Sequence, residues 1–127
     1  MLANERPVGF IGVTDYERAR AFYVDVLGLE FVNQDDYALV VRTGGVKVRI
    51  TRLPEVQPSQ HTVFGWEVSD VRKASADLAA KGVAFERYDF LGADQGPDGV
   101  WTAPGGMAQV AWFKDPDGNL LSLTTCD

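Results

Sequence analysis

The chain predicts an α+β fold in which two tandem βαβββ modules form a curved mixed sheet around a cup. Three observations lead there. A segment recurs after 54–55 residues, each copy opens with an apolar run and a helix start, and each helix is followed by short strand-like runs punctuated by turn residues.

The repeat is clearest where Val13-Thr14-Asp15-Tyr16-Glu17-Arg18-Ala19 is set against Val68-Ser69-Asp70-Val71-Arg72-Lys73-Ala74. Leu27-Gly28-Leu29 and Lys81-Gly82-Val83 then recur in the same register. Each half begins with an apolar run, Val8 to Val13 and Thr62 to Val68. Thr14 with Glu17 three residues later reads as a capping box, and Ser69 or Asp70 caps the second helix. The helices are expected over Tyr16 to Leu27 and Val71 to Lys81. Ala19, Phe22, Tyr23, Val26 and Leu27 stripe one face of the first, and Val71, Ala74 and Leu78 that of the second. Gly28 and Gly82 fall where a left-handed residue ends a helix.

Strands follow at Glu30 to Val32, Tyr37 to Arg42 and Val46 to Arg52, with a tight turn at Thr43-Gly44-Gly45. The second half offers Val83 to Arg87, Val100 to Thr102, Ala108 to Lys114 and Leu120 to Thr124. Ala103-Pro104-Gly105-Gly106 and Asp115-Pro116-Asp117-Gly118 supply its turns, the carboxylates of the latter being expected in solvent. Residues 1–127 are thus expected to be a single domain, with modules at about 6–53 and 61–125 and a proline-bearing linker at 54–60.

A chain of 127 residues buries roughly 65–70% of its unfolded surface, so it needs no disulfide staples. With 12 Lys plus Arg against 18 Asp plus Glu, the net charge of −6 argues against nucleic acid and anionic membranes as partners. Cys126 is a lone thiol, so neither an intrachain disulfide nor a cysteine zinc cluster is expected. Met1 to Val8 contains no signal-length apolar run, and no window resembles a membrane span; a cytoplasmic protein is the expectation.

Two stretches, VTDYERARAFYVDVLGLEF and AWFKDPDGNLLSL, carry a family likeness. The pattern Asp15-x-x-x-Ala19-x-x-Phe22-Tyr23-x-x-x-Leu27-Gly28-Leu29, in register with Phe113-x-Asp115-Pro116-x-Gly118-Asn119, resembles the vicinal oxygen chelate superfamily. That group includes lactoylglutathione lyase, extradiol dioxygenases, fosfomycin-resistance enzymes and bleomycin-resistance proteins. Its metal-using members carry His, an acid, His and Glu at four inward positions, a set suited to a divalent cation with sites left for substrate oxygens. The resemblance puts those positions at Val8, about Arg49, Val63 and Ser122. None of these holds a cation, and a slip of two places gives Phe10, Lys47 or Thr51, which are no better. No metal and no other cofactor are therefore expected. His61 reads as a solvent-exposed rim residue rather than a ligand, since Glu67, six places along the same strand, is ~20 Å away at strand rise.

Alternation along the strands assigns the cup lining. Val8, Phe10 and Gly12 face inward on the first strand, and Lys47, Arg49 and Thr51 on the fourth. Val63, Gly65 and Glu67 face in from the second half's first strand, and Leu120, Ser122 and Thr124 from the last. The expected ligand contacts are Arg49, Glu67, Ser122, Phe10, Thr51, Val8, Val63 and Trp101 in a mostly apolar pocket. Arg49 and Glu67 either pair with each other or meet a ligand. Trp66 reads as core; Trp101 and Trp112 flank turns and are core, pocket wall or dimer contact, with core the first reading for Trp112. The loop from Leu91 to Gly99 reads first as polar surface, the alternative being a lid beside which Trp101 stacks on a planar ligand. No Ser-His-acid set, P-loop or dinucleotide glycine pattern is present.

These readings converge on a metal-free protein that sequesters a small organic ligand, most similar to the bleomycin-resistance branch, with a homodimer expected from the uncovered sheet edges. A lyase, isomerase or dioxygenase of the same superfamily is the alternative, and a non-catalytic assembly or regulatory module the second; catalytic residues are not assigned. Planar, weakly acidic aromatic or dicarbonyl ligands are expected to be preferred, with Arg49 as their anchor.

Overall fold

The computed structural model describes residues 1–125; Cys126 lies outside them. The described chain divides into two compact units, one spanning Met1–Gln57 and the other beginning at Pro58.

The first unit contains β1 (Val8–Val13), helix α1 (Tyr16–Arg20), which continues as a π-helical turn (Ala21–Val26), and strands β2 (Glu30–Gln34), β3 (Leu39–Thr43) and β4 (Val46–Arg52). Its sheet has the order β1-β4-β3-β2, with β1 parallel to β4 and the other pairs antiparallel. The helix starts where expected but with a different cap. Asp15, not Thr14, is the N-cap, its carboxylate accepting the Arg18 N–H at 3.1 Å. The Thr14 hydroxyl instead accepts from the Arg18 guanidinium at 3.0 Å. The switch to π-helix shows in the Leu27 N–H, which donates to the Phe22 carbonyl five residues back at 2.9 Å. Tyr16, Ala19 and Tyr23 from this helix are buried together with Ile11, Val13, Leu39, Val41, Val48 and Ile50 from the sheet. The period-2 alternation of the strands is thus obeyed, with one face in the core.

The second unit repeats this plan with β5 (Phe64–Val68), α2 (Val71–Ala79), β6 (Trp101–Thr102), β7 (Gln109–Lys114) and β8 (Leu120–Thr125). The order β5-β8-β7-β6 mirrors the first sheet, again with one parallel pair, β5 with β8. Asp70 caps α2 by accepting the Lys73 N–H at 3.0 Å. Val71, Ala111, Phe113, Leu121 and Leu123 are buried, and Trp66 stacks on Phe113 with centroids 6.3 Å apart at 15°. The chain therefore has the α+β tandem βαβββ fold that its repeat predicts.

Three expectations need correction. Val83 to Arg87 is not a strand: Phe85 makes an isolated bridge to Phe113, and β6 occupies the edge that β2 occupies in the first unit. Asp115 is not solvated but 4% exposed. Its carboxylate accepts the Asp117 and Asn119 N–H groups and the Asn119 side-chain amide at 2.8–2.9 Å, so it organises the turn that feeds β8. The loop after Leu91 is not simple polar surface, because Gln95 is buried in it. Gly28 and Gly82 do adopt left-handed φ values of 78° and 95° at the helix ends, as the sequence indicates.

Candidate functional site

Each sheet buries one face and leaves the other open, and strand register fixes which residues share the open face. In the first unit Phe10 lies beside Arg49, and Arg49 beside Val40; Val8 lies beside Lys47, and Lys47 beside Arg42; Gly12 lies beside Thr51. This open face combines apolar and cationic groups. Phe10 is 68% exposed, Val8 is exposed, and Lys47, Arg49 and Thr51 are half-buried. Arg42 is paired with Glu30 at 2.5 Å. Among the described residues of its own unit, Arg49 has no carboxylate at ion-pair distance. Its charge is felt by Asp35, whose carboxyl is held below its ordinary range chiefly by the N–H groups of Tyr37 and Ala38, with Arg49 adding to the effect.

In the second unit the row Trp101, Val110, Thr124 and Glu67 runs across the open face beside the row Trp112, Ser122 and Gly65. Val63 continues toward Leu120 through its N–H, which donates to the Leu120 carbonyl at 2.9 Å. Three expected residues, Glu67, Ser122 and Trp101, therefore share one face of one sheet, and Val63 precedes β5. Their settings differ. Ser122 is buried, its hydroxyl lying over Gly65, where a Cβ would come within 2.7 Å of Oγ. Glu67 is exposed, so no burial forces a partner upon it.

A pocket of about 400 Å³ opens on this face, lined by Gln60, His61, Thr62, Tyr88, Phe90, Leu91, Trp101, Trp112 and Leu120. Of the expected contacts only Trp101 is in it. Trp112, expected in the core, is half-buried and forms its wall. Strand alternation carries the missed signal: with Ala111 and Phe113 in the core, Trp112 must point to the opposite face. His61 is exposed at the rim, with Nδ1 hydrogen-bonded to the Ser59 hydroxyl at 2.7 Å.

The rings brace one another. Tyr88 meets Trp112 edge-on at 5.5 Å and 76°, Trp101 leans on Trp112 at 6.3 Å and 39°, and Tyr88 neighbours Phe90 at 5.7 Å. Burial pushes the Tyr88 phenol upward, Glu86 adding to the rise and Lys114 opposing it. Its hydroxyl thus stays protonated at neutral pH and is available as a donor. Lys114 itself sits 3.4 Å from the Glu86 carboxylate.

Among the described residues, no Asp, Glu, Lys or Arg lines the pocket. The family resemblance puts the metal positions of its metal-using members at Val8, about Arg49, Val63 and Ser122. Neither imidazole nor carboxylate is among them, so this donor set does not fit a divalent cation. Among the described residues no three His, Cys, Asp or Glu side chains gather into another group able to hold a metal. Nor is any described helix long and apolar enough to cross a membrane.

Two mixed sheets of this order, each behind one helix and open on the other side, define the class. Residues 7–123 match the sequence profile of the Glyoxalase/Bleomycin resistance protein/Dioxygenase superfamily, and the chain belongs to that superfamily. Solved structures with the same fold include TnmS3, an antibiotic-binding protein from Streptomyces sp. CB03234. The two are 24% identical over 100% of this chain and 99% of that one, with a TM-score of 0.75. A glyoxalase/bleomycin resistance protein from the same Streptomyces is 25% identical over 94% and 98%, with a TM-score of 0.67. A glyoxalase family protein from Enterococcus faecalis is 18% identical over 98% and 99%, with a TM-score of 0.75. Curated protein sequences give no significant match.

Proposed function

We propose that the protein is a metal-free small-molecule-binding member of the superfamily that sequesters an organic ligand without transforming it. The observation that carries this reading is the pocket walled by Trp101, Trp112, Tyr88, Phe90, Leu91 and Leu120. Ligand sites of this kind are concave, mostly apolar and supplied with a few polar handles, here Gln60, Thr62, His61 and the Tyr88 hydroxyl. The antibiotic-binding role of TnmS3 supports the same direction. Replacement of the family's ligand set removes the Lewis acid on which a lyase or dioxygenase of this group relies. On this reading Arg49, Phe10, Thr51 and Val8 are candidate ligand contacts within the first unit, and Glu67, Ser122 and Val63, with Trp101, within the second.

Elemental analysis of the purified protein tests the metal-free reading. Substoichiometric Mg, Mn, Fe, Ni and Zn are expected, with a melting temperature indifferent to EDTA; about one tightly held ion per chain would refute it.

The one domain is proposed to act in the cytoplasm as a homodimer. The exposed edges β2 and β6 and the partly apolar open face bearing Phe10 and Val8 are a liability that a second copy covers. Sedimentation at micromolar concentration is expected to give twice the chain mass, and a monomer counts against the dimer.

A further inference from the structure

The pocket has walls that specify a shape as well as a polarity. Tyr88 and Trp101 meet Trp112 edge-on and at a tilt. Among the described residues no ring lies parallel to the Trp112 indole. A flat ligand entering this aromatic wall would supply the parallel partner that these rings do not.

The rim differs from the walls. Residues 89–94 form a 3-10 segment with no buried residue, and Phe90 at its tip is 85% exposed although it lines the pocket. The base of the same loop is fastened firmly. Gln95, 4% exposed, accepts the Tyr88 N–H at 2.8 Å and donates to the Glu86 and Gly99 carbonyls at 2.9 Å each. Asp98 is held by Arg72 at 2.6 Å, and Arg87 donates to the Gly96 carbonyl. Bonds within the tip are local only, such as the Leu91 N–H to the Tyr88 carbonyl at 3.0 Å. Within the tip stands Gly92 at φ 58° and ψ −138°, a conformation that glycine adopts without penalty. A tip free of core contacts on a stapled base is the part of this loop that opens at least cost.

We infer that the pocket takes a planar, fused-ring aromatic ligand stacked on Trp112, and that the Asp89–Asp94 segment is a flap that lays Phe90 over it. This rests on the reading that the protein binds an organic ligand, and it adds the ligand's class and the step that retains it. Stacking rewards a flat π-face, which a saturated ring system of equal size lacks. Flap closure removes the Phe90 ring from water only when a ligand is beneath it, so its effect falls on departure rather than entry.

The test uses 2-naphthol and its saturated counterpart 2-decalol, with tryptophan fluorescence for affinity and stopped flow for rates. The naphthol is expected to quench fluorescence saturably and to bind at least about tenfold more tightly than the decalol. Trp112→Leu is expected to weaken naphthol binding about tenfold or more. Phe90→Ala, at an exposed position that leaves the fold's melting temperature unchanged, is expected to raise the dissociation rate about tenfold at an unchanged association rate. Equal binding of the two probes overturns the aromatic class while the wider ligand-binding reading stands. An unchanged dissociation rate in Phe90→Ala overturns the flap. Absence of binding by both probes to metal-free protein overturns the ligand class alone, whereas a stoichiometric metal ion overturns the wider reading.

Discussion

Gly65→Val is expected to cost about 3 kcal/mol of stability and to lower the melting temperature by roughly 10 °C. β5 and β8 run parallel here, with Gly65 opposite Ser122. A Cβ at Gly65 would stand 2.8 Å from the Ser122 carbonyl oxygen and 2.7 Å from its hydroxyl. The hydroxyl can rotate, but the carbonyl belongs to the central ladder and cannot yield without shifting β8. Gly28→Val provides the contrast. That position has nothing within 4 Å of an added Cβ, so only the strain of its φ of 78° is felt, about 1 kcal/mol or more. Differential scanning calorimetry separates the two. If Gly28→Val proves as damaging as Gly65→Val, the close approach of β5 to β8 does not limit the second unit.

Arg49→Met is expected to leave the fold intact and to remove about 2 kcal/mol or more of binding from an anionic planar ligand such as 2-naphthoate. Arg49 is half-buried on the first sheet between Phe10 and Val40, and no carboxylate of that unit neutralises it at contact distance. A partly desolvated guanidinium with apolar flanks grips a carboxylate or phenolate through its planar fork. Asp35 feels that charge from outside contact distance, so losing it changes little in the free protein. The overall charge of −6 favours encounter with cations, yet the local group decides retention. A calorimetric titration in which only the cationic naphthylmethylamine binds, or in which Arg49→Met holds 2-naphthoate unchanged, removes Arg49 from the site.

Much of the fold was legible because it is written twice. The Asp15/Asp70 and Gly28/Gly82 pairs mark the start and end of equivalent helices, and the alternation in β4 placed Val48 and Ile50 in the core with Arg49 opposite. What escaped has particular physical causes. Thr14 and Asp15 are both competent caps, and only backbone geometry chooses between them. Val83 to Arg87 has strand composition, but it meets β7 only at the Phe85–Phe113 bridge and the Glu86 N–H to the Trp112 carbonyl, while the Glu86 carbonyl accepts from the Gln95 side chain. The Asp115 turn carries a charged residue that composition assigns to solvent, while its three hydrogen bonds repay its burial. At the pocket, Trp101 was legible from its loop. Trp112 carries a large aromatic side chain that composition assigns to the core, whereas the alternation that buries Ala111 and Phe113 points it outward. Tyr88, Phe90 and Leu91 reach the site from an irregular loop without periodicity, so no pattern in the sequence could assemble them.

On the proposed function this superfamily member binds organic ligands without a metal. The most direct measurement is the thermal shift produced by 2-naphthol before and after exhaustive treatment with EDTA. The same stabilisation is expected in both, unaltered by adding Mn, Ni or Zn ions back. A shift that disappears on chelation and returns with a divalent cation would contradict it.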